Sequence, residues 1–244
     1  MSNNLSTNEV NKLLKSIYEK WYETVFIKTV CYNNANYSNP LYIKCTEAYA
    51  KAKNKVMIIG QETHGTWFKD LAKDNDIEIL QNLYHNYLTN DYASNASPFW
   101  KFANEFRMEN EFNIIWNNIT KVNFCNSESC KIEQDIADKL NSDFNSLTLL
   151  EHELTVLKPD YVILLCGPYY SESIATALNL SNTKLVAPNS NQQITEINPL
   201  TINQRIQTSI KKLLWTYHPN ALSRNQYLEN PYTISQLIKK EMGL

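Results

Sequence analysis

The chain reads as an α/β protein, with a parallel central sheet of about four strands and helices on both faces. Two observations carry this expectation. Four apolar runs, at 56–60, 112–117, 161–167 and 213–218, have the length and composition of strands covered on both sides. The stretches between them carry helical periodicity, and strands alternating with helices build parallel sheets.

Taken in order, residues 8–27 place Val10, Leu13, Leu14, Ile17, Trp21 and Val25 at helical spacing. The run Val-Met-Ile-Ile-Gly at 56–60 is the first strand, followed by helical stretches at 76–88 and 99–108. The second strand, 112–117, precedes a helix at 143–157, and the third, 161–167, precedes one at 169–179. A helix at 202–210 leads into the fourth strand, 213–218, and a last helix covers 232–242. Segments 123–142 and 181–200 are Asn/Ser-rich and read as surface loops or insertions. With no repeat and no linker, residues 1–244 are expected to form one domain, 1–55 being its N-terminal helical part.

Composition narrows the classes. Among 244 residues, 43% are hydrophobic and 20% charged, with a net charge of −2, which excludes a disordered tail or a strongly basic coat protein. No apolar run approaches the roughly 20 residues of a membrane helix. The N-terminus lacks the basic start and apolar run of a secretory signal, so a cytoplasmic location and no membrane partner are expected. The five cysteines are odd in number and form no CxxC pair, which points to free thiols. Cys125 and Cys130 have no second pair to complete a metal site, so no metal is expected. Charge is segregated: residues 1–55 carry +4 and 211–244 carry +3, leaving −9 on the middle. The two ends either form a positive face together or are ordinary solvated surface.

With only four glycines, positions 60, 65 and 167 at the ends of apolar runs stand out as places where the backbone demands glycine. In open parallel sheets the ligand site lies beyond the carboxyl ends of the strands. Gln61-Glu62-Thr63-His64-Gly65, Asn117-Asn118, Gly167-Pro168-Tyr169-Tyr170 and the segment from His218 to Ser223 gather there. Glu62 can orient a water, or cap the next helix. Asn117 can read a planar ligand with one donor and one acceptor, or bind nearby backbone. His218, biased to an extended backbone by Pro219, can donate to a developing anion, or serve structurally.

Together these segments resemble the uracil-DNA glycosylase superfamily. Residues 56–65, VMIIGQETHG, are similar to its first motif, an apolar strand ending in GQDPYH. Residues 214–223, LWTYHPNALS, resemble its second, a strand ending in HPSPLS. Asn117 ends an intervening strand as the uracil-reading Asn does in the family. SPFWKF at 97–102 and LSR at 222–224 are similar to segments of the mismatch-specific branch.

The resemblance implies excision of uracil or another deaminated or modified base, flipped out of DNA into the pocket, by hydrolysis of its N-glycosidic bond. In that reading His218 stabilises the departing base anion, and Glu62 positions water and supports the cationic sugar. Asn117 reads the base edge and Gln61 donates near the base or phosphate. Asn220 and Ser223 hold phosphate oxygens, Leu222 wedges into the vacated stack, and Arg224 contacts the backbone. No metal or organic cofactor is implied, and the protein is expected to be a monomer whose partner is DNA containing a damaged base.

The departures are specific. Glu62 stands where the family has Asp, one methylene shorter, and Thr63-His64 replace Pro-Tyr, which leaves uracil selectivity unsupported. His64 is nonetheless a base-pocket candidate. Spacing does not place the stacking aromatic: Trp67 and Phe68 are candidates, whereas Phe99 and Trp100 fit a core role. Two other classes compete with the glycosylase. One is a non-catalytic nucleobase- or DNA-binding module on the same fold. The other is an unrelated α/β hydrolase, for which no GxSxG, P-loop or GxGxxG is present.

Overall fold

The computed structural model describes residues 5–30, 37–63, 76–91, 97–107, 114–123, 133–180 and 185–243. Its five strands are β1 (Val56–Glu62), β2 (Ile114–Thr120), β3 (Tyr161–Leu165), β4 (Ile194–Glu196) and β5 (Lys212–Thr216). They lie in the order β2-β1-β3-β5-β4, with β2, β1, β3 and β5 parallel and β4 antiparallel against β5. The four expected strands are therefore present, and the sheet has one more. β4 falls inside 181–200, the segment expected to be loop. Its three residues are too few for a period to show, and it forms because Thr216 Oγ1 and the β5 backbone hold residues 193–196.

The helices in chain order are α1 (Thr7–Trp21), α2 (Ile27–Val30), α3 (Glu47–Lys51), α4 (Ile77–Asn86), α5 (Pro98–Asn104) and α6 (Gln134–Leu140). They continue with α7 (Leu149–Leu157), α8 (Ser171–Ala177), α9 (Pro199–Ile206), α10 (Pro219–Arg224) and α11 (Pro231–Met242). α6 lies in the other segment expected to be loop, 123–142, and buries Ile136, Ala137 and Leu140 on one face. Ser6 and Thr148 close capping boxes with Glu9 and Glu151 at the starts of α1 and α7, each worth about 1 kcal/mol. α5, α9, α10 and α11 each begin with Pro, behind caps Ser97, Asn198, His218 and Asn230. Proline there supplies a preset φ at a position whose N–H has no helical partner. No described helix is long and apolar enough to cross a membrane.

Alternation along β2 divides the sheet into two faces. Trp116 meets the rings of Phe99 and Trp100 on α5, at centroid distances of 6.3 and 5.2 Å. Asn117, on the opposite face, bonds Glu153 of α7. α10 and α11 pack with α5, and α1 packs with α7, so helices cover both faces. At the free edge of β2, the Tyr84 hydroxyl donates to the Trp116 carbonyl (2.7 Å) and accepts from its N–H (3.1 Å). A side chain thus satisfies backbone that an edge strand leaves unpaired.

On the α7 face lies a buried polar knot. Lys121 Nζ reaches both oxygens of Glu153, at 2.7 and 2.8 Å, and also donates to Asn117 Oδ1. The Asn117 amide donates to Glu153 Oε2 (2.9 Å), and the Tyr18 hydroxyl of α1 donates to Oε1 (2.7 Å). Tyr18 in turn accepts from the Ile43 N–H (3.0 Å). Glu153 is fully buried and Lys121 nearly so. Burial lowers the lysine's pKa, while Glu153 opposes that shift.

Removing one charge of such a pair strands the other in a low dielectric. Lys121→Met is therefore expected to cost about 3–5 kcal/mol of unfolding free energy in urea titrations. Lys121→Met combined with Glu153→Leu is expected to cost less than the sum of the two single losses.

Candidate functional site at the carboxyl edge of the sheet

The carboxyl ends of β1, β3 and β5 lie side by side, and each delivers a polar group there. On β1, Gly60 and Glu62 share the face of Ile58, and Gly60 is level with Asn118 of β2. A Cβ on Gly60 would stand 2.6 Å from Asn118 Oδ1 and 3.3 Å from the Phe99 ring. Glycine is thus required for the close approach of an amide and an aromatic ring. Asn118 Oδ1 accepts from Trp116 Nε1 (3.0 Å), and its Nδ2 donates to Thr63 Oγ1 (3.3 Å). Its backbone N–H donates to Asn117 Oδ1 (2.7 Å), which joins this buried amide to the knot on the other face.

His218 follows β5 and caps α10, with an extended backbone (φ −63°, ψ 138°), as the following proline dictates. Its Nδ1 accepts the Asn220 N–H (3.2 Å), so the neutral ring carries its proton on Nε2. Burial depresses its pKa from 6.5 to about 4, and the imidazole is neutral at physiological pH. The Phe99 ring lies nearly parallel to the imidazole, with 6.0 Å between centroids and 23° between planes. Phe99 therefore bridges Gly60 on β1 and His218 after β5.

Between them, β3 ends in Cys166 and Gly167. Gly167 has φ +74°, a conformation that favours glycine, and its N–H donates to the Thr216 carbonyl (3.0 Å). This bend starts a 3-10 turn, Pro168–Tyr170, that aims the Tyr170 hydroxyl at Glu62, where it donates to Oε2. Burial, and next the Glu62 charge, push the Tyr170 pKa upward, so the phenol remains protonated. The Cys166 thiol lies beneath, donating to the Gly60 carbonyl (3.3 Å), and burial raises its pKa too.

The sequence-derived candidates divide into three groups. Glu62 and His218 lie at this edge, and Asn220 holds the imidazole through its backbone. Four others are placed differently from the roles the resemblance implied. Asn117 is fully buried on the opposite face, where Lys121 and Glu153 occupy its amide; Asn118 is the amide on the Phe99 side. Gln61 donates its amide to the Cys166 carbonyl (2.8 Å), tying β1 to β3 past their last paired residues. Leu222 is 3% exposed and packs in the core, so it is no surface wedge. Ser223 is exposed, with its hydroxyl turned back onto the Pro219 carbonyl (2.9 Å), and Arg224 is exposed at the end of α10. His64, Trp67 and Phe68 lie outside the described residues.

Three residues at the site were not singled out by sequence reasoning: Phe99, Asn118 and Tyr170. Asn118 and Tyr170 lie within the strand-end clusters that the sequence marks, and Phe99 lies in the SPFWKF segment, whose aromatics fitted a core role. Among the described residues, no three His, Cys, Asp or Glu side chains gather as a cation site. What the edge presents is a fixed imidazole N–H donor, a carboxylate held by a phenol, and a flat ring packed over a buried, hydrogen-bonded amide. Comparison with protein-family models and with curated proteins finds no match.

The depressed His218 pKa has a signed consequence. Between about 4 and 6.5 the unfolded chain binds a proton that the folded imidazole refuses. The histidine's stabilising contribution is therefore full above 6.5 and is lost as pH falls through that window to about 4. An NMR titration of the ring is expected to give a midpoint near 4. His218→Gln is expected to flatten this part of the stability–pH curve, measured by urea unfolding at pH 4.5 and 7.

Proposed function

We propose that the protein is a DNA glycosylase of the uracil-DNA glycosylase type, hydrolysing the N-glycosidic bond of a deaminated or otherwise modified base. The observation that carries this reading is His218: a neutral imidazole, its proton fixed on Nε2 by the Asn220 N–H, lying parallel to Phe99 at the carboxyl edge. A neutral N–H donor fixed before the reaction stabilises an anion that develops during bond cleavage.

The chemistry runs as follows. A nucleotide is turned out of the stack, and its base lies against the Phe99 ring beside His218. As the C1′–N bond breaks, its electron pair leaves with the base, whose oxygen accepts from His218 Nε2–H. Glu62 faces the sugar that becomes cationic and orients a water whose oxygen bonds C1′ as its proton passes to Glu62 and on to solvent, while the departing base anion takes a proton from solvent. The products are the free base and an abasic sugar. Arg224 and Lys101, both exposed, supply positive charge for the flanking phosphates. The −9 charge of residues 56–210 fits a footprint limited to a few nucleotides.

A non-catalytic module that binds a base or modified DNA through the same residues is the second reading. One feature favours it: Thr63-His64, directly after Glu62, replace the Pro-Tyr of the first motif that the chain resembles.

Incubation with single- and double-stranded oligonucleotides bearing uracil, hypoxanthine, xanthine or a G·T mismatch, followed by alkaline cleavage, separates the two. Abasic sites are expected with at least one substrate, and His218→Ala or Glu62→Ala should each lower the rate by about 100-fold or more. Tight binding without strand scission selects the module. Neither binding nor scission with any oligonucleotide rejects both.

A further inference from the structure

We propose that Tyr170 is the positioning residue for Glu62, fixing the direction in which that carboxylate faces the reacting sugar. This inference rests on the reading of Glu62 as the water-orienting group. A glutamate just past the end of a strand has three side-chain torsions, and an unrestrained carboxylate there samples several directions. Orientation is a large part of what such a group contributes, because a water held in line with C1′ replaces one that must be found by diffusion. Some second contact must hold it.

The fold supplies that contact at some cost to backbone freedom. Gly167 takes φ +74°, Pro168 fixes the next φ, and the Tyr170 N–H closes the turn on the Gly167 carbonyl at 3.3 Å. The two adjacent tyrosines then part: Tyr169 is 88% exposed, whereas Tyr170 is 8% exposed with its hydroxyl on Glu62 Oε2. Tyr170 belongs to the turn after β3 and Glu62 to β1, so the bond spans two strand ends and ties the carboxylate to the bend beside His218. A Cβ on Gly167 would lie 3.9 Å from the His218 backbone nitrogen, so one bend adjoins the backbone that carries the imidazole and aims the phenol. The buried, protonated phenol is a constant donor to one carboxylate oxygen.

Glutamate rather than aspartate follows from this geometry. The extra methylene lets the carboxylate meet a phenol that approaches from the neighbouring strand. Shortening it removes the contact even though the charge is kept. Tyr170 is therefore a positioning residue that acts through Glu62 and not on the substrate itself.

The test is a double-mutant cycle on single-turnover abasic-site formation. Tyr170→Phe is expected to lower kcat about 10-fold with KM nearly unchanged, and to have no effect in a Glu62→Ala background. Glu62→Asp should lose about as much as Tyr170→Phe, and the two changes together should lose little more. An unaltered rate for Tyr170→Phe, or an equal loss in the Glu62→Ala background, overturns the proposal. A second readout does not require activity: carboxyl-carbon NMR of Glu62 in the intact protein. Among the described residues, Cys166 and Tyr170 are titratable groups whose pKa values its charge raises. Removing the phenolic donor should raise the Glu62 titration midpoint, and an unchanged midpoint rejects the contact. If no oligonucleotide is cleaved but the midpoint moves, the glycosylase reading fails while the Tyr170–Glu62 contact stands.

Discussion

The buried pair of Lys121 and Glu153 decides which side of β2 faces α5. Two ionised side chains out of water are tolerable only when paired and further hydrogen-bonded, and here Asn117 and Tyr18 complete the shell. Asn117 is committed to that knot, so its neighbour must point the other way, because strand side chains alternate. Asn118 then lies level with Gly60, where the absence of a Cβ admits both its amide and the Phe99 ring. An electrostatic requirement on one face of the sheet thereby sets the amide and the aromatic on the other. The same knot joins α1, β2 and α7, so the register of the edge strand and the packing of the N-terminal helix depend on one set of contacts.

His218 shows how a local folding device becomes a chemical one. An N-cap side chain ordinarily satisfies an orphan amide at the start of a helix. When the cap is an imidazole, that bond also selects the tautomer, because the nitrogen that accepts from Asn220 cannot carry the proton. Burial against Phe99 removes the charged form. What remains is a neutral donor whose orientation is set by the helix before any ligand arrives. Gly167 and Pro168 do the corresponding work after β3, where the bend that ends the strand also directs Tyr170.

The sheet was legible because its four parallel strands contain largely apolar runs, and because Gly167 and His218-Pro219 lie just beyond the ends of two of them; β1 continues two residues past Gly60. β4 and α6 were not legible. A strand of three residues and a helix of seven owe their form to the β5 edge and to α8, not to their own periodicity. At the site, Glu62 and His218 could be read because a strand end limits where a side chain can go. The choice between Asn117 and Asn118 could not. Period-two alternation makes adjacent residues opposites, and the partner that decides between them, Glu153, is 36 residues away. Phe99 lies in the SPFWKF segment, yet it fits a core role until α5 is laid across the edge of the sheet. Leu222 looked like a surface wedge and is a core residue, because a helix of six residues must bury something to hold its place.

The most direct test of the central claim is a crystal structure of the protein with an oligonucleotide carrying a slowly cleaved 2′-fluoro analogue of a substrate nucleotide. The account predicts a flipped base lying against Phe99, with a base oxygen about 2.7–3.2 Å from His218 Nε2 and the sugar facing Glu62. A nucleotide bound elsewhere, or a base whose oxygen meets some other donor while His218 Nε2 bonds the protein, would contradict it.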